Sequence, residues 1–556
     1  MERITAAGLL LMLFAGISAP AQAPADLVLT NGVFMTLDEE RPMVRALAVR
    51  DGRILSLGSP EEMKALTGPH TRVVDLAGAV AYPGFIDAHA HVRGLGASMG
   101  VLDLTTATSE EDAAARVARA AASAKPGEWV LGRGWDQNRW PGKAFPGRRS
   151  LSRAAPRNPV LLRRVDGHAG WVNDAALRVA GIGRKPPEVR GGEVLVDAEG
   201  RPTGILVDNA MDLVGRHVPP ATPEKIRQDL EKALKECARL GITEVHDAGV
   251  GPSELDAYRR LLREGRLKVR IWAMLEGPEP WLEKELGGGP REEDPEGMLT
   301  LGGVKFYADG ALGSRGAWLL APYADRPDAS GFPLTPPDEL ARLASLCARW
   351  RVQACTHAIG DRAVRETLDA YARALAGQPD GRGRRFRVEH AQVVDPADVP
   401  RFAALGVIPS MQPTHCTSDM PWAPERLGPV RTLYAYAWKS FLATGARIAA
   451  GTDFPIELPN PVHTFYAAVT RKARDQGPPD GWTPGQRLTR MEALLAMTRW
   501  AAEAAFQEER LGRLAPGFRA DLTVCDLDLL SLPEEKIPDV RVLWTVVNGK
   551  IVYAAK

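Results

Sequence analysis

A chain of 556 residues, 45% apolar and 25% charged, is long enough for a full-size barrel with appended or inserted modules. Its 70 Lys and Arg against 69 Asp and Glu leave a net charge of +1, which gives no basis for nucleic acid or an anionic membrane as partner and leaves small molecules as the default ligand class. Five widely spaced cysteines, Cys237, Cys347, Cys355, Cys416 and Cys525, imply neither a disulfide framework nor a Cys-based zinc site, and the odd count leaves at least one thiol free or paired with another chain.

At the N-terminus Arg3 precedes an apolar run, Ala6 to Ile17, too short to span a bilayer, and Ala21-Gln22-Ala23 follows as a small-x-small cleavage site. Residues 1–23 therefore read as a secretory signal. The mature chain is expected to be exported, periplasmic or extracellular, with no stable membrane anchor because no cysteine follows the cut. From Asp26 to about Gly58 short apolar runs are broken at Asn31-Gly32 and Asp51-Gly52, two hairpin turn signals. The C-terminus repeats the pattern, with strand-like Ala520 to Leu527 and Arg541 to Tyr553 and a turn at Asn548-Gly549. Residues 24–80 and 510–556 are thus expected to meet in one small β-sandwich module.

The apolar run Ala79 to Tyr82 leads into Pro83-Gly84-Phe85-Ile86-Asp87-Ala88-His89-Ala90-His91 and predicts a buried strand. Side chains two apart in a strand share a face, so His89 and His91 project together, about 7 Å apart, close enough to share one metal ion. Further strands are predicted at a segment ending Thr243-Glu244-Val245-His246, then Lys268 to Leu275, Gly303 to Tyr307, Arg351 to His357, Phe386 to His390, Gly406 to Met411 and Arg447 to Thr452. A Ser253-capped helix to Leu262, Pro337 to Trp350, Asp361 to Leu375 and Met491 to Ala505 fit the gaps, the last three with apolar residues at three- and four-residue spacing. Strand and helix alternating eight times predict a (β/α)₈ TIM barrel over residues 81–509. An open doubly wound sheet lacks the Gly-rich phosphate loop it would need after the first strand. The gap of about 93–222 exceeds one crossover and predicts a lid insertion, with strands at Trp129 to Leu131, Val160 to Arg163 and Glu193 to Asp197 and an aromatic turn from Gly134 to Trp140.

Barrel enzymes work at the C-terminal strand ends, and there the chain carries His89, His91, Lys305, His357, His390 and Asp453. With Gly303-Val304-Lys305, Thr356-His357-Ala358-Ile359-Gly360-Asp361, Val388-Glu389-His390-Ala391, Ala450-Gly451-Thr452-Asp453 and the tail Gly512 to Gly517, the chain resembles the amidohydrolase superfamily, in the branch similar to N-substituted formamide deformylase. That resemblance implies two divalent metal ions, zinc by expectation: His89, His91 and Asp453 on one, His357 and His390 on the second, and a carbamate on Lys305 bridging them. Asp453 is then the general base for a metal-activated hydroxide that cleaves a C–N bond of an amide, formamide or cyclic amide. The residues alone leave alternatives open: Lys305 in a barrel salt bridge, Asp453 as a ligand without a proton role, one metal in a deaminase, esterase or isomerase, or a secreted binding protein without catalysis. Substrate contacts are expected from His168 and Trp135 in the insertion, His246 at the second strand, Arg315 after the Lys305 strand and His415 after the seventh, with Trp171 also able to wall the pocket. His246 fits a hydrogen-bonded rim equally well, Arg315 an ion pair, and the tryptophans simple packing. A homodimer is compatible with all of this.

Overall fold

Gly84 marks the point where the chain leaves one sheet and enters another. In the computed structural model, which describes residues 23–378 and 380–555, Val80–Pro83 and Phe85–Ala90 are separate strands. The first pairs with Val33–Met35 and Leu522–Cys525, so the predicted single strand is divided between the terminal segments and the barrel. Residues 1–22, which hold most of the expected signal, lie outside the described residues.

The terminal segments form two sheets. Leu27–Thr30, Ala46–Arg50, Arg53–Gly58 and Arg72–Asp75 make one, and Val33–Met35, Met43–Val44, Val80–Pro83, Leu522–Cys525, Val542–Val547 and Lys550–Ala554 the other. A buried cluster including Leu29, Phe34, Leu47, Phe518, Leu522 and Val546 draws on both sheets. Asp51-Gly52 and Asn548-Gly549 are two-residue hairpin turns with positive φ at both residues, as the right-handed twist of the flanking strands requires. Asn31-Gly32 does different work: it carries the chain from the first sheet into the second.

Eight parallel strands run through the nine-stranded central sheet in sequential order, Phe85–Ala90, Ile242–Val250, Arg270–Leu275, Leu299–Tyr307, Gln353–Ala358, Arg387–His390, Ile408–Met411 and Ala449–Ala450, with the short Arg291–Glu292 antiparallel to the fourth. The sequence places all eight, but three differ clearly in extent: the fourth begins four residues ahead of Gly303, at Leu299. The second continues four residues past His246, and the eighth is only two residues long. Beyond it, Asp453 N donates to His89 O and His91 N to Phe454 O, both at 2.8 Å, which brings the last strand against the first. A Cβ on Gly451 would stand 2.5 Å from His89 N, so only glycine permits this approach. Inside, Trp272, Met274, Cys355, Ala248 and Ala505 pack together, and Gly302 leaves room for the Trp272 ring, 2.1 Å from where a Cβ would sit.

Helices Pro337–Trp350 and Asp361–Leu375 form as predicted. The helix after the second strand starts at Pro252 behind Gly251, so Ser253 lies in its first turn and is not its cap; proline's fixed φ suits that first position. The predicted Met491 to Ala505 helix is two, Arg490–Ala496 and Arg499–Ala504, broken at Thr498 (φ −136°, ψ −90°). The insertion contains a six-stranded sheet in which Val130–Trp135, Val160–Arg164 and Gly192–Val196 are joined by Leu102–Asp103, Ala169–Val172 and Pro202–Asp208. Among the described residues no helix is long and apolar enough to cross a membrane, and all five cysteines are buried and free.

One buried ion pair ties the C-terminal segment to the barrel floor: Arg270 donates to Asp521 at 2.5 and 3.1 Å, with both side chains at most 4% exposed. Asp521→Ala strands the Arg270 charge and is expected to cost about 3–5 kcal/mol. Chemical denaturation should show a lowered midpoint for the variant.

Candidate metal centre

Seven side chains converge where the barrel strands end. His89 lies in the first strand and His91 just past it, Lys305 in the fourth, His357 in the fifth, His390 at the tip of the sixth, and Asp453 three residues after the eighth. His415 comes from the helix Pro413–Asp419 that follows the seventh. His89, Lys305, His357, His390 and Asp453 are all at most 5% exposed.

The ring nitrogens can be assigned from their partners. His91 Nδ1 faces the Ala248 carbonyl at 2.7 Å, and a carbonyl only accepts, so Nδ1 carries the hydrogen and Nε2 keeps its lone pair. By the same argument His89 Nδ1 donates to Glu389 at 2.5 Å and His390 Nδ1 to the Gln412 amide oxygen at 2.7 Å. His357 instead places Nε2 near Gly310 O at 3.5 Å, which frees Nδ1. Burial pushes His89, His357 and His390 well below the ordinary imidazole range, so each presents a neutral ring.

Around these rings the spacing is short. Asp453 Oδ1 lies 3.2 Å from His91 Nε2 and 3.8 Å from His89 Nε2, while its Oδ2 lies 3.5 Å from His415 Nε2. Two donor triads therefore share Asp453: His89 with His91, and His390 with His415. His357 joins through its ring, 4.5 Å from that of His390. Lys305 Nζ stands 3.2 Å from His89 Nε2, and burial lowers its pKa, which favours the uncharged amine.

Backbone strain gathers here too. His390, Ala391 and Asp453 all adopt positive φ, at 74°, 42° and 58°. At His390 this has a direct use. Arg387 and Glu389 take the inward face of the sixth strand, so alternation alone would send His390 outward, and the left-handed backbone turns it toward the other donors.

The fit to a cation rests on what these donors lack. Asp453 Oδ1 and His415 Nε2 are buried with no hydrogen-bond partner, an expense that a ligated ion removes. Neutral imidazoles and a carboxylate are the donor set of zinc and other borderline divalent ions.

Residues 72–553 match the Amidohydrolase family. The chain belongs to the amidohydrolase family. It is 28% identical to the N-substituted formamide deformylase of Arthrobacter pascens, an alignment covering 95% of this chain and 98% of the relative. It is 35% identical to Protein LONG AFTER FAR-RED 3 of Arabidopsis thaliana, over 97% and 93% of the two chains. Among solved structures it is similar to an uncharacterized metal-dependent hydrolase from Pyrococcus horikoshii OT3, with a TM-score of 0.73, 28% identity and coverage of 91% of this chain and 99% of that one.

In this amidohydrolase the other expected contacts fall in different places. His168, from the insertion, stands over the centre with its ring 5.1 Å from that of His357, and its Nδ1 donates to Asp208 at 2.6 Å. His415 sits among the donors. Trp135 does not line a pocket. It is fully buried among Trp140, Phe145 and Trp171, and its Nε1 donates to Leu162 O, because its strand turns that face into the insertion's own core. Arg315 is committed to Asp325 at 2.8 Å. His246 lies below the centre, since its strand continues to Val250, and is held between Arg387 and Glu244.

Sequence reasoning missed Asp87, Glu389 and Gln412, which touch the donors or the backbone that carries them, and Asp208, which holds His168. Asp87 accepts from Thr452 N, Thr452 Oγ1 and His89 N at 2.9, 2.7 and 3.3 Å. For Asp87 and Glu389 a signal existed: both stand within two residues of a candidate ligand histidine. Zinc at about 100 times its Kd is expected to stabilise the folded chain by about 2.7 kcal/mol. Melting curves with and without zinc should show the shift, and His91→Ala should shrink it.

Proposed function

We propose that this protein is a metal-dependent hydrolase that cleaves a C–N bond in an amide, formamide or cyclic amide. The observation that carries the reading is the convergence of His89, His91, Lys305, His357, His390 and Asp453 on one barrel end, with Asp453 Oδ1 buried and unpartnered. Membership of the amidohydrolase family and the likeness to a formamide deformylase support the bond type.

His89, His91 and Asp453 would hold one divalent ion, and His357 and His390 a second, both assigned as zinc. The neutral amine favoured at Lys305 suits capture of CO₂ as a carbamate, whose two oxygens would serve both positions. Bound there, such ions supply Lewis acidity and a water acidified toward neutrality. Asp453 takes the proton of the attacking water and returns it to the leaving nitrogen as the C–N bond breaks. His168, fixed by its Nδ1 hydrogen bond to Asp208 with its ring 5.1 Å from that of His357, orients the small-molecule substrate. Residues 1–23 would direct export.

A hydrolysis screen of zinc-loaded protein against N-formyl and N-acyl amines tests the bond class, and release of no formate or carboxylate from any of them would overturn it. Asp453→Asn is expected to keep its fold and lose about 10²- to 10⁴-fold in turnover. His357→Ala should lower zinc content by elemental analysis.

A further inference from the structure

Below the donors, a run of buried polar groups leads down the barrel interior. Glu389 and Arg387 lie on the inward face of the sixth strand, and both are 0% exposed. Glu389 Oε2 accepts from His89 Nδ1 at 2.5 Å and from the Arg387 guanidinium at 3.4 Å, while Arg387 Nε and Glu389 Oε1 stand 2.8 Å apart as an ion pair not aligned for a hydrogen bond. The Arg387 guanidinium also donates to Ala88 O in the first strand, to Ser410 Oγ in the seventh at 2.9 Å, and to His246 Nδ1 in the second at 3.0 Å. His246, accepting at Nδ1, carries its hydrogen on Nε2 and donates to Glu244 at 3.2 Å.

Two full charges without solvent are costly to bury, and such a pair adds little stability over apolar packing. Its value here lies in direction. A carboxylate at Nδ1 forces the tautomer that leaves the Nε2 lone pair free, fixes the ring plane and raises the basicity of that nitrogen. Glu389 alone would rotate. Arg387 prevents this, because its planar fork is anchored on the first, second and seventh strands and so ties Glu389 to the strand that carries His89.

We infer that Glu389, locked by Arg387, is a positioning residue that sets the cation affinity of the centre through His89. This rests on the proposed metal-dependent function, and the probe is zinc alone, so no substrate is needed. Apo protein is titrated against a chromophoric zinc chelator, for wild type, Glu389→Gln, Glu389→Asp and Arg387→Lys, at a temperature where native near-UV circular dichroism is retained. Glu389→Gln removes the charge and Glu389→Asp withdraws the carboxylate from Nδ1, and each is expected to weaken zinc binding about 10- to 100-fold. Arg387→Lys keeps the charge and loses the fork, and weakening is expected there too.

Zinc affinity of folded Glu389→Gln within about threefold of wild type, even with a lowered melting temperature, overturns the proposal and leaves the metal reading standing. Should Glu389→Gln fail to fold, the same limit on Glu389→Asp decides, and Arg387→Lys if neither carboxylate variant folds. A wild-type chain that does not compete for zinc at all overturns the metal reading and this inference together.

Discussion

The seam between the first and eighth barrel strands is the constraint on which the rest of the structure depends. His89 and His91 stand on one side of it and Asp453 on the other, yet the eighth strand offers only two residues of ladder. The join is made instead by the Asp87 carboxylate, which accepts from both the backbone and the hydroxyl of Thr452, and by the two backbone bonds that follow. Gly451 lets the chains come close enough for this. A fraction of an ångström lost here would separate the carboxylate from the imidazoles, so the bond that closes the barrel also sets the spacing of the centre.

Much of this was legible beforehand, for identifiable reasons. The His-x-His pair follows from the two-residue period of a strand, and the Asp51-Gly52 and Asn548-Gly549 turns follow from the φ they must adopt. The helices Pro337–Trp350 and Asp361–Leu375 follow from their apolar stripe. Each of these signals lies within a few consecutive residues. The position of Lys305, by contrast, becomes a candidate only through its place at a strand end and a family resemblance.

What was illegible depends on contacts across long separations or on backbone angles that side-chain type does not encode. Nothing local says that Glu389 meets His89 across 300 positions, or that Arg387 draws four strands together. His390 enters the centre against the alternation of its strand, through a left-handed φ that histidine rarely adopts. Trp135 is large and amphipathic, equally suited to a pocket wall or a core, and only its neighbours decide between them. Of the two roles open to His246, its hydrogen bonds to Arg387 and Glu244 favour the hydrogen-bonded one, and it lies below the centre because its strand runs on to Val250, an end that side-chain type does not mark.

His168 and Asp208 give the insertion a further meaning. Asp208 itself sits at φ 49° and ψ −125°, a conformation costly for a residue with a side chain, and its carboxylate is lodged against Gly310 and Gly316 of the loop after the Lys305 strand. The imidazole above the donors is thus carried by a body with its own hydrophobic interior, independent of the eight strands. The imidazole of His168 and the donors at the barrel end therefore sit on different stretches of polypeptide, so substitutions within the insertion's core can shift the one without touching the strands that carry the others.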